Sequence, residues 1–183
     1  YTWKAPETIG AGHPRSNARC RLDWAIPNND MPDPQRLMDR AADDGTRVII
    51  LQGAEHWAEF IEANSKAKFG EPFFVGTNWL GGVMFNKPHA VFNELPAGNA
   101  LNWPYQALIH TGVERMGFEM EGEELLVGAY HSYPMNIGTA MGIVPVGKGS
   151  VLFSTLDIYG NIVTESAAGL VAKKLVFNMI DNE

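Results

Sequence analysis

Gly142-Ile-Val-Pro-Val-Gly-Lys-Gly149, Ser150-Val-Leu-Phe-Ser-Thr-Leu-Asp157 and the apolar-striped segment Ala167–Ile180 follow one another near the end of the chain and decide its fold class. The first reads as strand, tight glycine turn and strand, and the second as a buried strand ending in a polar edge. In the third, Ala168, Val171, Ala172, Leu175, Val176, Met179 and Ile180 recur at helical spacing, while Lys173, Lys174 and Asn178 are assigned to the outer face. A turn, a buried strand and a helix returning across the sheet form the closing unit of an α/β domain.

Upstream, Asp33-Pro34 supplies an acidic N-cap followed by proline at the first helical position. Leu37, Met38, Ala41 and Ala42 line one face of that helix, and Gly45 stops it. Thr46–Gln52 is a continuous apolar, β-branched run, as a strand buried on both faces requires. Trp57, Phe60 and Ile61 form the inner stripe of a second helix ending near Asn64. This rhythm predicts an α/β fold with a mostly parallel central sheet. Further strands are expected at Pro72–Val75, Val83–Phe85, Glu124–Tyr130 and Ala140–Pro145, with Ala90–Leu108 mostly irregular. Residues 1–17 carry Pro6, Gly10, Gly12 and Pro14 and read as a linker or arm, followed by an extended segment at Ala18–Ile26. One α/β domain over residues 18–183 is the expected organisation.

A chain of 183 residues with 45% hydrophobic content can bury one full core. Its net charge of −7 and lack of a basic run argue against a nucleic-acid partner. No apolar run approaches the roughly 20 residues of a membrane-spanning helix. The single cysteine, Cys20, excludes an internal disulfide and a cysteine-based zinc site, and reads as a small buried side chain. It leaves cytoplasm, periplasm and extracellular space all open. A start at Tyr1 rather than methionine is read as that of a piece cut from a longer protein.

Gly142-x-x-x-x-Gly147-Lys148 nearly spells a phosphate loop, but Gly149 stands where Ser or Thr should hold magnesium, and a strand follows instead of a helix. The segment is therefore expected to be a strand-turn-strand element. Leu51-Gln-Gly-Ala-Glu55 lacks both a dinucleotide fingerprint and a Ser/Thr-rich flavin loop, and no Gly-x-Ser-x-Gly elbow occurs. Neither a catalytic residue nor a cofactor is assigned. The histidines show no local metal spacing, so a metal or hydrolytic site would have to be assembled from His89, His131 and Asp157 across loops. Trp79, Trp103 and Tyr105, with Asn78, sit among Gly, Asn and Pro residues and are the candidate sugar-stacking group. The competing reading has these aromatics plug the loops against the sheet.

Thr46-Arg-Val-Ile-Ile-Leu-Gln-Gly53, Pro88-His-Ala-Val-Phe-Asn-Glu-Leu-Pro96, Gly138-Thr-Ala-Met-Gly-Ile-Val-Pro-Val-Gly-Lys-Gly149 and Val151-Leu-Phe-Ser-Thr-Leu-Asp157 stand in a telling order. Over Arg47–Asn182 the chain resembles the glutamine-amidotransferase-like accessory domain of β-galactosidase-type (family 2) glycoside hydrolases. That resemblance implies a flavodoxin-like, class I glutamine-amidotransferase-like three-layer α/β sandwich whose nucleophile has been lost, with Asn78, Trp79 and Leu80 near the old elbow. It implies a non-catalytic accessory domain of a glycoside hydrolase, serving packing, oligomerisation or the shaping of an active site elsewhere. The expected partners are other domains of the same polypeptide, with carbohydrate or a second copy of the chain as further candidates. A carbohydrate-binding module and a small hydrolase with a dispersed His/Asp site are the alternatives.

Overall fold

Asp33 and Pro34 start the first helix as their chemistry dictates. The Asp33 side chain accepts a hydrogen bond from the Gln35 amide, Pro34 occupies the first turn, and Gly45 ends α1 (Pro34–Asp44) at φ 73°. The computed structural model describes residues 33–75, 82–101, 103–110, 116–131 and 135–181. The expected arm at 1–17, the extended segment Ala18–Ile26 with Cys20, and residues 76–81 with Asn78 and Trp79 lie outside the described residues.

After α1 come β1 (Arg47–Ile50), α2 (Ala54–Ala63), β2 (Lys68–Phe74) and β3 (Gly82–Asn86). A 3-10 turn at Ala90–Phe92, α3 (Gln106–His110), β4 (Met116–Glu121) and β5 (Glu124–His131) follow. The chain continues through β6 (Asn136–Val146), β7 (Gly149–Ser154), α4 (Ile158–Ile162) and α5 (Ala167–Asp181). All the described strands join one seven-stranded sheet in which β6 pairs with β4, β5 and β7.

Among the described residues only β1 and β7 run parallel, with Val48 opposite Val151 and Ile50 opposite Phe153. The pairs β2–β4, β3–β5, β4–β6, β5–β6 and β6–β7 are antiparallel. The expected mostly parallel, flavodoxin- and amidotransferase-like three-layer sandwich is therefore wrong. The sheet is mixed and mostly antiparallel. The physical reason lies in what a continuous apolar run reports. Burial on both faces arises wherever helices cover both faces, whichever way the strands run. β6 demonstrates it: Thr139–Val144 is buried without a break, yet every pairing of this strand is antiparallel.

The sheet separates two apolar layers. Val151 and Phe153 of β7 point into a layer with Leu37, Met38, Trp57 and Ile61 of α1 and α2. Leu152, between them, points the other way, toward Leu108, Ile158, Leu175 and Met179 of α3, α4 and α5. Each such large side chain, when fully buried, stabilises by about 1.5–3 kcal/mol relative to exposure.

Two local expectations need amendment. The strand expected to continue through the Ser-Thr-Leu-Asp edge ends at Ser154, because Asp157 caps α4 instead. Asn178, assigned to the outer face of α5, is only 3% exposed.

Candidate functional site

The near-phosphate loop is a hairpin that caps a helix. Val146 pairs with Gly149 across the two-residue turn Gly147-Lys148, with Gly147 at φ 55°. Lys148 donates from its backbone amide to the Ala42 carbonyl (3.0 Å) and from Nζ to the Asp43 carbonyl (3.0 Å). These carbonyls belong to the last turn of α1, which lacks helical donors and carries the negative end of the helix dipole. A side chain at Gly147 would overlap Ala42, and one at Gly149 would meet the Thr46 and Ala41 carbonyls. The lysine that resembles a phosphate ligand is engaged by the helix terminus.

Of the dispersed His/Asp set, His89 and Asp157 are likewise engaged in building the fold. His89 Nδ1 accepts from the Val91 amide (3.2 Å), and its Nε2 lies 3.8 Å from a Glu124 carboxylate oxygen. Asp157 accepts from the Gly160 amide (2.9 Å) and from the Asn161 side chain (3.3 Å) at the start of α4. His131 closes β5 opposite Gly82 and Asn136. Among the described residues, no group of three or more His, Cys, Asp or Glu side chains is placed to hold a metal ion.

Of the aromatic candidates, Trp103 and Tyr105 are described, and they part company. Tyr105 is 1% exposed, packs edge-on against Phe92 at 6.3 Å, and donates its hydroxyl to the Pro96 carbonyl at 2.6 Å. Its ring is a core plug. Trp103, two residues earlier, is 75% exposed. It stands at the mouth of an open groove of about 610 Å³. One wall is Trp103, Pro104, Gln106 and Ala107 at the start of α3, and the other is Ala167, Ala168, Leu170 and Val171 on α5. Leu170 is itself 62% exposed, so the groove joins two large apolar side chains presented to solvent.

The loop between β3 and α3 determines where these walls stand. Asn86 donates from its side chain to the Pro96 carbonyl (2.8 Å), and its own amide and carbonyl bind Asn99 and Gly98. Asn178 donates to the carbonyls of Val91 (3.0 Å) and Asn93 (2.8 Å), fastening the same loop to α5. Lys174 reaches Glu94 at 2.8 Å, where Glu94 holds the left-handed φ of 61°. Sequence reasoning missed Asn86 and Asn178. For Asn178 the signal was present: it lies seven residues after Val171 and three after Leu175, on the inner stripe.

Neither a family model nor a curated protein matches the chain. Among solved structures it resembles the β-galactosidase from Rahnella sp. R3, with a TM-score of 0.46 and 8% identity. The overlay takes in 80% of this chain and 20% of that one, so the chain spans about a fifth of the enzyme's length.

Proposed function

We propose that this chain is a non-catalytic accessory domain of a larger carbohydrate hydrolase, acting by contact, and that the Trp103–Leu170 groove is its contact face. The observation that carries the reading is the groove itself: two large apolar side chains held open to water beside a tightly packed core. Lys148, His89 and Asp157, which invited a chemical reading, serve as helix and turn caps. The hydrolase context is drawn from the four sequence phrases that resemble accessory domains of β-galactosidase-type enzymes. The occupant is accordingly an apolar surface of another domain in the same polypeptide.

Hydrogen exchange tests this directly. Amides of residues 103, 105–107 and 167–171 are expected to gain protection when the chain is embedded in the complete polypeptide. Equal exchange in both settings would refute contact at the groove. Turnover of aryl glycosides by the purified chain, abolished by replacing one carboxylate or histidine, would refute the non-catalytic part. Trp103 also suits a sugar ring, but Gln106 and the indole N–H are the only polar side-chain groups on the described walls. Saturable indole quenching by an oligosaccharide, absent in Trp103→Ala, would move the reading to a binding module.

A further inference from the structure

Both walls of the groove are tied to a single loop. The first wall begins at Trp103, whose ring is exposed. Pro104 follows it, and proline fixes its own φ near −65° and keeps its predecessor extended. Tyr105 comes next and is anchored at Pro96 by a 2.6 Å hydrogen bond. The same Pro96 carbonyl accepts from Asn86, whose Nδ2 also lies 3.4 Å from the Tyr105 hydroxyl. Asn86 belongs to β3, so a short chain of bonds runs from the sheet through Pro96 and Tyr105 to Trp103. The second wall is α5, and Asn178 and Lys174 bind it to Val91, Asn93 and Glu94 of that same loop.

We infer that the loop of residues 87–99 is a positioning strut that sets the angle of Trp103 and the spacing of the groove walls, with Tyr105 and Asn178 as its two attachment points. The inference rests on reading the groove as the contact face, but it concerns the free chain and needs no partner for its test. Mechanically the case is one of leverage. A buried residue pinned at its far end leaves the backbone two positions away little freedom, whereas an unpinned turn would let the whole of Trp103 swing. A preset aromatic also loses less side-chain freedom when a partner arrives, and this strengthens association.

The experiment labels the chain with 5-fluorotryptophan and assigns the Trp103 resonance by Trp103→Phe. Tyr105→Phe deletes one oxygen and keeps the ring, while Asn178→Ala releases the other attachment. In both variants the Trp103 line is expected to shift and broaden, with the line of Trp57, buried against the opposite sheet face, unmoved. Lys148→Ala, which loosens that opposite face, is expected to leave Trp103 unchanged. An unaltered Trp103 line in a folded Tyr105→Phe protein would overturn the inference. Equal disturbance of Trp57 and Trp103 in both loop variants would overturn it as well, since that pattern reports general loosening. A groove that gains no protection in the complete polypeptide would sink the contact reading and leave this result standing.

Discussion

The two sides of the sheet are held by different means. On the α1–α2 side a turn closes on a helix end: a two-residue turn inserts Lys148 into the end of α1, and glycines at 147 and 149 let the strands and helix touch. On the α3–α5 side the closure runs through side-chain amides and a tyrosine hydroxyl, which pin a long loop to both the sheet and α5. This second closure leaves Trp103 and Leu170 facing water across an open cleft. The difference suggests a division of labour: the glycine-and-lysine side supplies rigidity, and the amide-pinned side supplies a surface whose shape can be set.

Breaking the first side should cost most. Gly147→Val places a branched side chain against Ala42 at φ 55°, and about 3 kcal/mol or more of stability is expected to be lost. Urea unfolding reads that loss, and a change under about 1 kcal/mol would mean the hairpin does not press on α1. Asn178→Ala comes next. It leaves the Val91 and Asn93 carbonyls without this donor, an expected cost of about 2–4 kcal/mol in the same assay.

Tyr105→Phe is milder and depends on pH. Burial pushes the Tyr105 hydroxyl from 10.0 up to about 12, with the Asn86 hydrogen bond pulling it weakly the other way. The folded protein thus holds that proton more tightly than the unfolded chain. The hydroxyl's contribution is complete below pH 10 and is lost as pH rises toward 12. The stability gap between wild type and Tyr105→Phe, about 1–2 kcal/mol at neutral pH, is expected to narrow across that window. A gap that stays constant in alkaline urea titrations would count against a buried hydroxyl. Trp103→Ala is the smallest: stability should stay within about 0.5 kcal/mol, while protection of the groove in the complete polypeptide disappears. A large stability loss there would make Trp103 a packing residue and erase the contrast between the two sides.

Much of this architecture could be read directly. The N-cap at Asp33, the stop at Gly45, the turn at Gly147-Lys148 and the helix at Ala167 are local events, each decided by a few neighbouring residues. The elements within Ala90–Leu108 were not legible, because a 3-10 turn of three residues and a helix starting at Gln106 and five residues long are too brief to show a period. Strand direction was misjudged because an apolar run such as Ala140–Val144 of β6 would look the same beside a parallel or an antiparallel neighbour. At the candidate site Trp103 and Tyr105 looked equivalent in composition, and no local rule separates them. One found a carbonyl and an edge-on ring to bury against, and the other did not.

By itself, then, the amino-acid order determined where α1, α2 and α5 lie, which runs are apolar throughout and where the tight turn falls, because those outcomes depend on capping, periodicity and φ preferences within a few residues. The tertiary structure decided strand direction, the inward turn of Asn178, the split fate of the two aromatics and the groove between α3 and α5. Each of these rests on a partner many positions away in the chain, as Asn178 does on Val91, and such a meeting is set by how the sheet and helices pack.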